Sequence, residues 1–253
     1  MEHIAEFDPT RILYNDDDLI AVNKPAGALV VADRWGKETN ILLHQVGTFL
    51  RAHGHTVDAS GRDIYPVHRL DRDTSGVVVF AKHREAHRQV SRLFETRDVD
   101  KRYWLIAGGC PPHSRFQVDA PLSRREGKRG RGRGYVDHAH GKPATTEFRV
   151  LQCFADVSWL AAHPITGRTH QIRLHAAAAG FPALVDPQYG RTSWMSPRFG
   201  ELILPRVPLH ARELTFTHPR TQQTLRIEAP LDADLQEFLL RLADATGATL
   251  AWP

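Results

Sequence analysis

Residues 68 to 76, His-Arg-Leu-Asp-Arg-Asp-Thr-Ser-Gly, crowd an imidazole, guanidiniums, carboxylates and hydroxyls directly ahead of the apolar run Val77-Val78-Val79-Phe80-Ala81. A polar loop so placed is held by the core behind it, and a carboxylate there can act as nucleophile or general base. Gly76 allows the positive φ with which such a loop can turn into a strand. The same residues also suit an Asx or Ser/Thr turn that caps the strand, with Arg69 and Arg72 in ion pairs. A second polar cluster runs from Pro164 through Ile165-Thr166-Gly167-Arg168-Thr169-His170-Gln171-Ile172-Arg173-Leu174-His175. If residues 169 to 174 are extended, Ile172 and Leu174 share one face and Thr169, Gln171, Arg173 and His175 the other. A helix would distribute them differently, and the pattern leaves both open.

Neither cluster has the spacing of a metal site. His170 and His175 are not the i, i+4 pair of a helical zinc motif, and His138 and His140 have no acidic or thiol neighbours in sequence. Cys110 and Cys153 lack CxxC spacing and are too few for a disulfide framework, so a reducing cytoplasmic setting is expected. Asp71-x-Asp73-x also resembles the motif of haloacid-dehalogenase phosphatases. In that class the motif follows an apolar strand of an alternating α/β chain, whereas Asp71 follows His68-Arg69 and precedes the strand.

The elements that must position these residues are mostly strands. Residues 11–14 and 19–22 form a predicted strand pair around Asn15-Asp16-Asp17-Asp18, and Lys24-Pro25-Ala26-Gly27 ends it. A helix is expected from Thr39 to Ala52 and an amphipathic one from Glu85 to Arg97. Tyr103–Ala107 is a strand, and residues 145–154 and 157–163 are strands paired about Ala155-Asp156. Strands 211–217 and 224–227 and a closing helix over 231–245 complete the order, which favours an α+β fold with a mostly antiparallel sheet.

With 253 residues and 42% apolar content the chain can fill a substantial core, and it is expected to be one domain over residues 1–253. The N-terminus has no leader-like charge and apolar pattern, and no apolar run reaches membrane-spanning length, so a soluble protein is expected. Net charge is +4, yet residues 124–133 alone carry +5, leaving the remainder at −1. That run, Arg124, Arg125, Lys128, Arg129, Arg131 and Arg133 with Glu126, is read as part of an inserted basic loop over 123–143. It suits a polyanionic partner at one place, with a solvated loop as the plainer reading.

Taken together, these segments resemble the RluA-type family of pseudouridine synthases from about Ile12 to Phe238. Ile12 to Gly27 is similar to its opening, His68 to Gly76 to its catalytic loop, Lys101-Arg102-Tyr103 to its tyrosine segment and Gly167 to His175 to its third motif. The resemblance implies a bent, mostly antiparallel mixed sheet with flanking helices and a central cleft, and a uridine-to-pseudouridine isomerase acting without a cofactor on structured rRNA or tRNA. It makes Asp71 the catalytic carboxylate, Tyr103 the residue stacked on the target uracil and Arg168 the partner of Asp71. Arg69 takes the position that enters the RNA stack as the base flips. Arg72, Thr74, His170, Gln171 and Arg173 are expected to join Arg69 and the basic run in binding RNA, in a protein acting as a monomer. A catalytically silent RNA-binding protein on the same fold is the alternative, and the phosphatase comes third. Val185 departs from the pattern, where the family often has glycine, and no RNA-binding domain of the kind some relatives carry fits before Ile12.

Overall fold

The structure is a computed structural model that describes residues 6–32, 41–56, 62, 64–125, 132–192, 194 and 204–253. In chain order the elements are β1 (Ile12–Asn15), β2 (Leu19–Lys24), α1 (Leu42–Ala52), β3 (Tyr65–Pro66), β4 (Ser75–Ala81), α2 (Arg84–Thr96), β5 (Val99–Gly108), β6 (Arg115–Asp119), β7 (Leu122–Arg125) and β8 (Arg133–Val136), followed by β9 (Thr145–Phe154), β10 (Val157–Pro164), α3 (Gln171–Ala178), β11 (Leu209–Thr217), β12 (Thr224–Glu228) and α4 (Ala233–Thr246). The chain taken above as one domain is built from two compact units, Met1–Lys101 with Ala211–Pro230 and Arg102–His210 with Leu231–Pro253. Among the described residues no helix is long and apolar enough to cross a membrane.

In the first unit, β2 pairs antiparallel with β1 on one side and β4 on the other, β3 joins β4 at Ala81 and Phe80, and β11 pairs with β12. Every residue of β4 is buried. A continuous run of β-branched and aromatic residues is what a strand covered on both faces requires. Val77 and Val79 meet Leu19, Ala21, Ala86, Val90, Leu214 and Phe216 in one core cluster. Helix α2 buries Ala86 and Val90 and keeps its polar face outward, His83 Nδ1 capping its start by accepting from the Ala86 N–H at 3.3 Å.

In the second unit the strands run β5-β10-β9-β6, with antiparallel registers for β5/β10, β10/β9 and β9/β6. The expected β9–β10 turn is present, with Ala155 at φ 53°. Helix α4 lays Leu235, Phe238, Leu239 and Leu242 on Phe154, Trp159 and Trp194, the i, i+3, i+4, i+7 stripe of a helix packed by one face. Val185 sits in that same cluster, so the departure noted above is absorbed by packing. The ambiguous stretch 169–174 resolves as helix: α3 starts at Gln171, with His170 in the left-handed region at φ 55°.

The segment read as a basic loop needs correction where it is described. β7 and β8 form a two-stranded antiparallel ribbon in which Arg124 faces Gly134 and Arg125 faces Arg133. Lys128, Arg129 and Arg131 lie outside the described residues. Basic residues hid this ribbon because their charge masks the alternation on which strand recognition rests. The start of the helix expected from Thr39 also falls outside them; α1 runs from Leu42.

Gly76, at φ +111°, lies where the polar loop enters β4, and a Cβ there would stand 2.2 Å from the Ala211 carbonyl oxygen. The neighbouring atoms are backbone and cannot rotate away. Gly76→Ala therefore combines a strained φ with overpacking, and should cost at least about 2 kcal/mol in urea unfolding. An unchanged midpoint would show that the loop does not need this close approach.

Candidate active site

The loop carrying Asp71 is anchored by main-chain bonds. Lys24, at the end of β2, is fully buried, and its ammonium donates to the carbonyls of Arg72 at 2.8 Å, Ala28 at 2.7 Å and Pro25 at 2.9 Å. The Gly27 N–H donates to the same Arg72 carbonyl at 2.9 Å. The residues on either side of Arg72 are thereby fixed, and the Thr74 N–H closes the turn on the Asp71 carbonyl at 3.2 Å. Asp71 and Asp73 are partly buried, Arg69 and Arg72 exposed. Thr74, expected to touch RNA, is buried just before β4.

His68 secures the loop's other end. The β3–β4 pairing ends at Pro66 opposite Phe80, and the N–H of the next β4 residue, Val79, is accepted by His68 Nε2 at 3.0 Å. An acceptor at Nε2 places the proton of the neutral ring on Nδ1. The ring stacks on Phe94 of α2 with centroids 4.8 Å apart. Burial, with a lesser push from the Lys101 charge, drives this imidazole down to about 3.

In the second unit, half-buried Tyr103 lies on β5 opposite Ala162 of β10. Arg168 lies on the loop before α3, and Gln171 holds that loop. The Gln171 Oε1 accepts from Thr166 Oγ1 at 2.6 Å and from the Arg168 N–H at 3.0 Å, while its Nε2 donates to the Thr145 carbonyl at 2.8 Å and to Thr146 Oγ1 at 3.0 Å. Arg168 itself donates through Nε to the Pro143 carbonyl at 3.2 Å. Gln171, expected to join in RNA binding, is buried, and its amide makes these four hydrogen bonds to the loop and to β9.

Arg173, also expected to bind RNA, is likewise turned inward. It is buried and forms a forked pair with Asp186, Nε to Oδ2 at 2.7 Å and Nη2 to Oδ1 at 2.8 Å. Burial alone would raise the Asp186 carboxyl, but the Arg173 guanidinium and the N–H groups of Gln188 and Tyr189 outweigh it and hold the group below its usual range. Breaking a buried pair of this kind by removing one partner typically costs about 3–5 kcal/mol. These residues face inward because α3 buries Gln171 through Ala176, a fact that the undecided strand-or-helix pattern did not reveal. His170 is partly exposed and bonds Tyr189 through Nδ1 at 2.7 Å.

His175 is no metal ligand. Its Nε2 lies 2.9 Å from the Ala120 carbonyl, which only accepts, so Nε2 carries the proton and Nδ1 accepts from Thr146 Oγ1 at 2.9 Å. Burial lowers its pKa below the ordinary histidine value. Among the described residues, Asp16, Asp18 and His218 bring possible ligand atoms within 4.8 Å of one another. The set does not fit a cation. His218 Nδ1 already accepts from the Arg220 and Thr221 N–H groups at 3.3 and 3.2 Å, so Nε2 holds the ring's proton. Arg220 and His83 also occupy Asp18 Oδ1. The cluster instead ties the β1–β2 turn to the β11–β12 turn. The phosphatase reading loses its placement as well, since Asp71 precedes β4 and follows irregular chain.

The family model described as RNA pseudouridylate synthase matches residues 18–178. The chain belongs to this family. It is 38% identical over 253 residues to ribosomal large subunit pseudouridine synthase D of Nitrosomonas europaea, covering 99% of this chain and 70% of that one. It is 35% identical over 237 residues to ribosomal large subunit pseudouridine synthase C of Vibrio cholerae, covering 92% and 70%. Among solved structures it resembles human RNA pseudouridylate synthase domain containing 4, with TM-score 0.75 and 25% identity over 92% of this chain and 93% of that one. The RluA-type resemblance and the α+β, mostly antiparallel fold are thus both established. So is the class of activity, an RNA-acting isomerase.

Sequence reasoning passed over Lys24, Asp186 and Tyr189. A lysine closing the apolar run Leu19 to Val22 was the available signal for the first, because a strand that is buried throughout must give an ammonium internal partners. The second and third lay in a segment of small and turn-forming residues without periodicity.

The neutral His68 gives the site loop a pH dependence of known sign. With a folded pKa of about 3, below the ordinary value near 6.5, the unfolded chain binds more protons between those limits, so stability is complete above the unfolded pKa and falls as pH drops. His68→Gln keeps an acceptor for Val79 and removes the titration. Between pH 7 and pH 5 the wild type should lose more unfolding free energy than His68→Gln; equal losses would place the proton elsewhere.

Proposed function

We propose that this chain converts uridine to pseudouridine in ribosomal RNA, with Asp71 as the catalytic carboxylate. The names of the relatives described above support rRNA as the substrate. The observation that carries the reading is the anchoring of the Asp71 loop, whose main chain is held by Lys24 and Gly27 and backed by a wholly buried strand. Such an arrangement holds the main chain beside the carboxylate at a fixed place. The two units act together as one catalytic domain, in a monomer. The free thiols Cys110 and Cys153 suit a cytoplasmic enzyme.

The reaction breaks the N1–C1′ bond, turns the uracil and joins C5 to C1′. C5 loses a proton and N1 regains one, so atoms and electrons balance without a redox partner. Asp71 acts at the ribose, by attack on C1′ or by taking the C2′ proton, and both require an ionised oxygen. Arg168 presents a guanidinium fork suited to an anionic partner, for which lysine is a poorer substitute. Tyr103 offers an aromatic face to the uracil, and the target must leave its stack to reach it. Arg69, exposed beside Asp71 in sequence, fills the space that the flipped base vacates, while Arg72, His170, Arg124, Arg125 and Arg133 meet phosphates.

Tritium release from rRNA labelled at uracil C5 tests the assignment. Wild type should release tritium, and Asp71→Asn should slow single-turnover release by roughly 10³-fold or more while still binding RNA. Binding without release by the wild type would favour the silent RNA-binding protein, and full activity in Asp71→Asn would refute the role of Asp71.

A further inference from the structure

Tyr189 stands where three parts of the second unit meet. Its hydroxyl accepts from the Gly134 N–H of β8 at 2.9 Å and shares a hydrogen with His170 Nδ1 at 2.7 Å. The guanidinium of Arg173, on α3, lies over its ring at 5.0 Å from the centroid, and that of Arg133, on β8, at 5.7 Å. The residue is itself held in place, because Asp186 Oδ1 accepts from its N–H at 3.1 Å while the Asp186 carboxylate is forked by Arg173. One phenol therefore connects the basic ribbon with His170, the residue just before α3 and two positions after Arg168.

The ribbon approaches closely. A Cβ on Gly134 would stand 2.7 Å from Leu174 Cδ1 and 3.2 Å from the Tyr189 hydroxyl. A side chain at 134 would therefore have to displace the ends of Leu174 and Tyr189, including the hydroxyl to which the Gly134 N–H donates. A ribbon of two short strands is marginal by itself and takes its position from what it packs on. Here its packing partners are Leu174 and Tyr189, which cluster with Leu122 and Val136.

We propose that Tyr189 is a positioning residue for substrate RNA, whose hydroxyl sets the register of the Arg124, Arg125 and Arg133 ribbon against the loop bearing Arg168 and His170. It touches neither the uridine nor the phosphates. It makes the ribbon's arginines and the site loop one rigid template, so that RNA gripped by the first is delivered in register to the second. The inference rests on the reading above that the ribbon binds RNA.

The test measures KM, single-turnover rate and the slope of log Kd against log[salt] for an rRNA fragment in wild type, Tyr189→Phe, Gly134→Ala and an Arg124→Gln/Arg125→Gln/Arg133→Gln variant. The triple variant establishes whether the ribbon meets phosphates, and should shallow the salt slope by roughly two to three contacts. Tyr189→Phe keeps the ring under both guanidiniums and removes only the hydroxyl. It should raise KM about three- to tenfold, the effect of one or two neutral hydrogen bonds, shallow the slope by about one contact and leave the saturated single-turnover rate within about twofold. Gly134→Ala, which pushes the ribbon off by a different route, should do the same, and the double variant should be no worse than either single one. A generally weakened fold would lower the active fraction without changing the salt slope. If the triple variant shifts the slope and Tyr189→Phe does not, the positioning role is wrong. If the triple variant itself shifts nothing, the ribbon is not an RNA contact and the inference falls with that reading.

Discussion

The buried ammonium of Lys24 is the constraint on which the Asp71 loop depends. An amine without solvent needs acceptors for its protons, and the nearby carbonyls of Pro25, Ala28 and Arg72 meet that need. These bonds hold the Lys24-Pro25-Ala26-Gly27 turn and the Asp71 loop onto each other beside the core around β2 and β4. Gly27 adds a second donor to the same Arg72 carbonyl, and Gly76 lets the loop leave along β4 where any side chain would strike Ala211. A demand of core formation thus fixes the main chain next to Asp71.

The second unit solves the same problem with neutral and paired groups. Gln171 saturates all its hydrogen-bonding capacity between the Arg168 loop and β9, and His175 bridges Thr146 and the Ala120 carbonyl. Arg173 and Asp186 fix the turn that ends at Tyr189. Buried polar networks of this kind are costly unless every member is satisfied, and when satisfied they specify one arrangement. In both units the residues proposed for chemistry sit at the edge of such a network. Preorganisation is supplied by their neighbours.

Much of this was legible in the sequence. The all-apolar β4, the amphipathic α2 and α4 and the β9–β10 hairpin each follow from residue period and turn composition, and their ends fell within a few residues of the observed ones. The order of the polar motifs sufficed for the family. What stayed hidden was which polar residues point inward. Arg173, Gln171 and Thr74 carry the same functional groups as surface RNA-binding residues, and only the helix phase of α3 and the burial of β4 show them turned to the interior. The β7–β8 ribbon escaped notice for the opposite reason, because its exposed arginines left too few apolar positions for an alternating pattern.

The account stands on Lys24 holding the Asp71 loop, and a Lys24→Met variant examines that link with little change in side-chain volume. The measurement is the single-turnover rate of pseudouridine formation at saturating RNA, on protein shown to be folded by its near-ultraviolet circular dichroism. With Asp71 intact but its loop released, the rate should fall by about 10²-fold, the scale expected of a misplaced reacting group, while RNA affinity changes little. A folded Lys24→Met protein that reacts at the wild-type rate would contradict the account.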